Sequence, residues 1–510
     1  MAVDAADPLL YPCPAFAGLR PALADLGDEV ACAVRPQGLP GPRLRLCSAD
    51  AARLLGWPKP GDDRAREQWA QVFSGNQAAA AHPALCTVYA GHQFGNWAGQ
   101  LGDGRAHLLG EARGLDPAQA MGHRWWEVQL KGAGLTPYSR HGDGRAVLRS
   151  SLREFLCSEA MWHLGVPTTR ALCLVDSDLA VRRERLETAA VVTRLCPSFL
   201  RFGHFEHFSH SGRHDALRRL VDHAVERLYP QCAEQANPAL ALLREVVSAT
   251  ATLVARWQCL GFVHGVLNTD NMALIGWTID YGPFGFLDAF DPAYTPNTTD
   301  VGGRYAWGRQ PAIAHWNLLA LAHALLPLID DRDAALEVVD GFGDAFEAAM
   351  AEGMRAKLGL GPQQDGDVDL LRAWFDLLRA CGADWTLAHR LLAAVVADAN
   401  APPPQRWLQL FDPWPQRLQH WLQALRQRLQ PLSAQERQRR AQAMSRANPC
   451  YVPRHHLLQQ AIEGAGLGDF SIAQRLHQVW RNPCEEQPGC EDLAAAPPPG
   501  SPPPVLSCSS

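Results

Sequence analysis

The residues best suited to chemistry lie in HGVLNTDNMALIGWTIDYGPFGFLD, which runs from His264 to Asp288. In that stretch Asn271 and Asp280 each offer a hard oxygen to a divalent cation, and Asp270 beside Asn271 is available as a base. Further back, Lys131 closes the run WWEVQLKG, and Glu154 follows it by 23 positions. Arg194 and Arg201, seven residues apart in VVTRLCPSFLRFGHFE, suit bidentate phosphate binding. Gly102 and Gly104 flank Asp103 and precede Arg105, so backbone N–H groups there can approach a phosphate closely. A second Gly-Asp-Gly-Arg, in HGDGRA, supplies Asp143 and Gly144. One at a time, these features have ordinary explanations: a hairpin turn, a solvated lysine, surface ion pairs. As a set they describe a site that grips a polyphosphate with cations and backbone amides and holds a divalent cation on oxygen.

The spacing narrows the chemistry. Protein kinases place a His, an Asp two positions on, an Asn seven positions after the His, and a later Asp-Phe-Gly whose Asp holds magnesium. They also pair a strand lysine with a helix glutamate to grip the phosphates. His264, Asn271 and Asp280-Tyr281-Gly282 keep that spacing behind the Lys131 and Glu154 pair. Val266 stands where a kinase has its catalytic carboxylate, so the usual geometry lacks its base and Asp270 is the carboxylate left to serve. Neither the Walker lysine loop nor a strand-linked GxGxxG with its following acid is present, which disfavours P-loop and Rossmann readings.

The elements that must position these residues follow from periodicity. Residues 1–80 are rich in Pro, Gly and Ala and read as an extension wrapped on the body, with Ser48 a candidate helix cap. Between residues 81 and 192, short apolar runs broken by glycine (TVYAGHQF, AHLLGEA, WWEVQLKG, CLVDSD, AAVVTRL) predict a mostly antiparallel sheet. One helix interrupts it, SSLREFLCSEAMWHLG, with Leu152, Phe155, Leu156, Ala160 and Leu164 at three- and four-residue spacing and a stop at Gly165 before Pro167. Residues 193–345 are expected to be a helical lobe carrying the metal and catalytic residues, and 346–481 a further helical region. The tail 482–510, rich in Pro, Gly, Ser and Ala, has too little apolar surface to order itself. The expected class is α+β: a small β-rich lobe followed by a larger helical one.

Composition removes other classes. The chain has 510 residues, 47% of them hydrophobic, enough for more than one packed lobe. With 47 Lys and Arg against 53 Asp and Glu, no basic footprint for nucleic acid is present. No export signal is evident, and LLALAHALLPLI is too short for a membrane span, so a cytoplasmic protein without membrane attachment is expected. The 14 cysteines lack zinc spacing and read as reduced thiols. His204, His207, His210 and His214 have no Cys partner or HExxH pattern beside them, so zinc is disfavoured.

On these residues the chain resembles the selenoprotein O family, also called the YdiU family, of kinase-like protein adenylyltransferases. The motifs that carry the likeness are FSGNQ, VYAGHQFG, QLGDGRA, QLKGAGLTPYSRHGDGRAVLRSSLREFL, HGVLNTDNM and DYGPFGFLD, with NPCYVPRHHL and the terminal SCSS more weakly. The resemblance implies a protein-kinase-like bilobal fold with ATP flipped, so that AMP passes to protein hydroxyls and diphosphate leaves. It implies nucleotide contacts from Gly102, Gly104, Arg105, Lys131, Asp143, Gly144, Arg194, Arg201 and Asp280, and an ion pair from Glu154 to Lys131. It further implies magnesium or manganese on Asn271 and Asp280, and Asp270 as proton acceptor. Target proteins with Ser, Thr or Tyr hydroxyls, self-modification and redox partners are implied as well, with Cys508 as a possible redox residue. UTP in place of ATP, a conventional kinase reaction and a nucleotide-binding scaffold stay open at this level.

Overall fold

Strands β1 (Ala31–Val34), β2 (Arg43–Cys47), β3 (Ala84–Thr87), β4 (His92–Gln93), β5 (Asn96–Trp97), β6 (Ala106–Arg113), β7 (Trp125–Lys131), β8 (Ala146–Val147), β9 (Arg170–Arg182) and β10 (Leu186–Cys196) carry the first part of the chain. The computed structural model describes residues 16, 18–77, 82–398, 401–412, 414–501 and 505–507. The main sheet has the order β1-β3-β6-β7-β10-β9-β2, with β8 on β10, and its pairings are antiparallel. Strands β4 and β5 form a separate hairpin.

Alternation along β7 explains its place in the middle of the sheet. Trp126, Val128 and Leu130 are fully buried and join an apolar cluster with Trp57, Trp69 and Phe73 on one face. Glu127, Gln129 and Lys131 share the opposite face, because successive side chains of a strand point to opposite sides. Residues 31–47, expected to belong to a wrapped extension, supply both edge strands of the sheet, β1 and β2. The helix after them starts at Ser48, whose side chain accepts from Ala51 N.

The helix Leu148–His163 packs its Leu152, Phe155, Leu156 and Ala160 into the large apolar cluster between sheet and helical body, as its spacing predicts. Glu159 of this helix is tied to the sheet: Arg170 at the start of β9 donates to both its oxygens at 2.8 Å, and Ala171 N donates at 2.9 Å. Burial opposes the Glu159 charge, but Arg170 outweighs it and holds the carboxyl down to about 2. That anchor fixes the helix against β9, and with it Glu154, five residues earlier.

Beyond β10 the chain is mostly helical. The helix Pro238–Leu260 begins at Asn237, whose side chain accepts from Leu240 N, and ends at Gly261 in the left-handed conformation. It and the stretch Trp307–Ile329 are long and apolar enough to cross a membrane by composition; 61% and 44% of their windows are buried, and the two pack together as core helices of this body. The described part of the tail is more ordered than its composition suggests. Leu493 and Leu506 are buried, and the Leu506 carbonyl accepts from both Thr298 N and Thr298 Oγ1 at 2.8 Å. One apolar anchor and two hydrogen bonds suffice where a neighbouring loop offers free donors.

Candidate active site

A cleft of about 780 Å³ opens between the sheet and the helical body, a size typical of small-molecule sites. Gly102, Gly104, Arg105, Lys131, Asp143, Gly144, Glu154, Arg194, Arg201, Asp270, Asn271 and Asp280 all line it. Residues up to 178 positions apart in sequence, from Gly102 to Asp280, therefore meet in one place.

Lys131 is the centre of its polar network. Its Nζ donates to Glu154 Oε2 at 2.6 Å and to Asp280 Oδ1 at 2.5 Å. Arg194, directly opposite Gln129 in the β10–β7 register, donates to Gln129 Oε1, to Glu154 Oε1 at 3.1 Å and to the Ile279 carbonyl at 2.9 Å. Burial opposes the Asp280 charge, but Lys131, Arg194 and Arg201 hold its carboxyl far below the usual carboxylate range. Asp280 is thus a carboxylate at any working pH, fit to bind a cation.

Arg201 caps the helix Phe202–His210, lies over the Tyr89 ring and donates to the Asp270 carbonyl at 2.7 Å. This braces the loop that carries Asp270 and Asn271. The Asn271 amide donates to the Val266 carbonyl at 3.0 Å, which fixes the orientation of its oxygen. Val266 is buried and contributes only its backbone at the position where a kinase has a carboxylate. Asp270 is buried; Gln93 of the β4–β5 hairpin donates to its Oδ2 at 3.1 Å, whereas Oδ1 has no partner among the described residues. Burial pushes the Asp270 carboxyl up to about 6, suited to a group that takes up and gives back a proton near neutrality.

The glycine loops form the other wall. Gly102 has φ +143°, and a Cβ there would lie 2.5 Å from the Tyr138 ring. Asp103 between the two glycines is turned inward, where its Oδ2 accepts from Thr87 N at 2.9 Å and Thr87 Oγ1 at 2.6 Å. Arg105 makes no side-chain hydrogen bond among the described residues, which leaves its guanidinium free at the cleft. Gly144 has φ +68°, and a Cβ there would come within 2.1 Å of the Gly134 carbonyl oxygen. Asp143 lines the cleft already paired: Arg183 grips both its oxygens, at 2.8 and 2.9 Å, and that contact first of all lowers its carboxyl.

The histidines noted in the sequence do not converge on a metal. His204 is hydrogen-bonded to Thr87 Oγ1 at 3.0 Å and His207 to Arg213, and among the described residues no group of three His, Cys, Asp or Glu side chains is placed to hold an ion. Gln129 and Gln93 are the site residues that sequence reasoning missed. The polar alternation E-Q-K in WWEVQLKG was a signal for the first; nothing local points to the second. Cys508 lies outside the described residues.

Comparison with known proteins supplies the class. The chain is 50% identical to the protein nucleotidyltransferase YdiU of Paraburkholderia xenovorans, over 96% of this chain and 95% of the relative. It is 49% identical to the protein of the same description from Burkholderia multivorans, over 95% and 94%. By that likeness the chain is an enzyme, a protein nucleotidyltransferase. The family model described as Protein adenylyltransferase SelO matches residues 16–481, and the chain belongs to that family.

Proposed function

We propose that the enzyme transfers AMP from ATP to Ser, Thr or Tyr hydroxyls of target proteins, itself included, and releases diphosphate, on a protein-kinase-like bilobal frame. The observation that carries this reading is the convergence of Lys131, Glu154 and Asp280 in one cleft with Asp270, whose Oδ1 is buried and unpartnered. The N–H groups of the Gly102–Gly104 loop and the Arg105 guanidinium receive the triphosphate. Lys131 and Arg201 neutralise phosphate charge, and Arg194 acts through Glu154 to keep Lys131 in place. Asp143 and Gly144 shape the loop that closes over the nucleotide. Asp270 Oδ1 takes the proton of the acceptor hydroxyl as its oxygen bonds to the α-phosphorus and the bond to the diphosphate breaks.

Asn271 and Asp280 would hold a magnesium or manganese ion. The donor set fits, because such ions take hard oxygen and bind through one or two protein ligands plus substrate phosphates, and the Asn271 oxygen is oriented by its amide contact. When bound, the ion supplies Lewis-acid stabilisation of the phosphate charge. A kinase reaction is disfavoured by the apolar, buried Val266 at the position of the kinase base.

The test is label transfer to protein from α-labelled ATP, α-labelled UTP and γ-labelled ATP, with Asp280→Ala as control. Protein-bound label from α-labelled ATP, with free diphosphate and loss in Asp280→Ala, is the expected outcome. Transfer from UTP alone would make the enzyme a uridylyltransferase, transfer of γ-label a kinase, and nucleotide binding without transfer a scaffold.

A further inference from the structure

Two thiols meet beneath the glycine loop. Cys32 of β1 and Cys86 of β3 are directly opposite in the antiparallel register, with their sulfurs 3.4 Å apart. Val88 N donates to the Val30 carbonyl, so two residues along, Cys32 and Cys86 occupy a hydrogen-bonded pair position. There the Cα atoms lie about 5.5 Å apart, within the range that a disulfide spans. Cys47 and Cys173 are also opposite each other, in the β2–β9 register, but Cys32 and Cys86 are the pair whose sulfurs lie within hydrogen-bond distance. Cys86 is buried and Cys32 half-buried on an edge strand.

The pair touches the loop from two directions. The Cys32 thiol donates to the Tyr138 hydroxyl oxygen at 3.6 Å, and the Tyr138 ring is the surface that Gly102 rests on. Cys86 adjoins Thr87, which holds the Asp103 carboxylate between Gly102 and Gly104 and accepts from Asp103 N at 3.0 Å.

We propose that Cys32 and Cys86 form a reversible dithiol–disulfide site whose oxidation loosens the Gly102–Gly104 loop and weakens nucleotide binding. The second half of this rests on the reading of that loop as part of the nucleotide site. The oxidant is a low-molecular-weight disulfide such as glutathione disulfide. The Cys32 thiol gives its proton to solvent, and its sulfur attacks one sulfur of the small disulfide, releasing one thiolate. Cys86 then loses its proton and attacks the Cys32 sulfur of the mixed disulfide, releasing the second. Two protein thiols are oxidised to one disulfide, and one small disulfide is reduced to two thiols. The order follows from environment: burial, with Cys32 beside it, pushes the Cys86 thiol up, so the more accessible Cys32 meets the oxidant. Closing the S–S distance from 3.4 Å to about 2.05 Å moves both sulfurs, takes Cys32 from Tyr138 and pulls on the strand that carries Thr87.

The test uses the full chain equilibrated in glutathione buffers of rising oxidised fraction, then alkylated, digested and mapped by mass spectrometry, with MgATP affinity measured in parallel by calorimetry. A Cys32–Cys86 linked peptide is expected, with MgATP affinity at least about fivefold weaker and restored by dithiothreitol. Cys32→Ser should bind MgATP as the reduced protein does and lose the response. Absence of the linked peptide at high glutathione disulfide overturns the site, and because that is read on the unaltered chain it does not depend on how the variant folds. A linked peptide with unchanged affinity overturns the coupling to the loop. Reduced protein that binds no MgATP would instead refute the nucleotide reading of the loop, while the linked peptide would still establish the dithiol site.

Discussion

Glu154→Gln removes one charge from the centre of the site without changing its shape. In the native protein Glu154 meets Lys131 at 2.6 Å and Arg194 at 3.1 Å, with side chains 4%, 11% and 3% exposed. Removing one partner of a buried ion pair costs about 3–5 kcal/mol, since the charge left behind stays desolvated. Here Lys131 keeps Asp280 and Arg194 keeps the Ile279 carbonyl, so the loss falls at the low end, roughly 3 kcal/mol. The variant also leaves Asp280 as the remaining carboxylate on Lys131, in competition with any cation, so MgATP should bind at least about tenfold more weakly. The assay is a double-mutant cycle of Glu154→Gln with Lys131→Met, read by urea denaturation and by MgATP calorimetry. A coupling energy of about 1–3 kcal/mol is expected. Coupling below roughly 0.5 kcal/mol, with native MgATP affinity in Glu154→Gln, would refute the claim that this pair organises the site.

Glu127 makes stability depend on pH. Burial pushes its carboxyl up to about 8, so between the ordinary carboxylate value of 4.5 and about 8 the folded chain retains a proton that the unfolded chain has lost. Its contribution is therefore present at low pH and lost as pH rises through that window, at up to about 1.4 kcal/mol per pH unit. Glu127→Gln, which mimics the protonated form, should flatten that slope in denaturation curves between pH 5 and pH 8, and an unchanged slope would refute it. Gly144→Ala forces a Cβ to within 2.1 Å of the Gly134 oxygen at φ +68°, and should raise the KM for ATP with little change in helix content by circular dichroism. Gln93→Ala removes the hydrogen bond to Asp270 Oδ2 and should lower kcat by about 10- to 100-fold, the worth of a hydrogen bond to a charged group, while KM for ATP holds. Equal changes in both constants would place Gln93 in nucleotide binding instead.

Much of the site was legible because its parts are locally spaced. The His264, Asn271 and Asp280 intervals lie within one short stretch, and Lys131 and Glu154 sit on a strand and a helix whose apolar periods are plain. Strand alternation also marks Glu127, Gln129 and Lys131 as one face of β7, although it cannot say that this face is buried. Gln93 could not be found this way. It reaches Asp270 from 177 positions away, through a two-residue strand with little pattern. Asp143 was recognised as a site residue, but its engagement by Arg183 depends on a loop and a strand end meeting.

Residue chemistry, the turns at the glycines and the periods that make β7 a strand and 148–163 a helix are written in local sequence, because these depend on neighbours a few positions apart. Tertiary structure alone decided that residues 31–47 close both edges of the sheet, that Cys32 faces Cys86, and that Gln93 meets Asp270. Each is a choice among distant partners of similar local preference. It is settled by how much apolar surface the whole chain buries and how many backbone groups find partners when these segments come together.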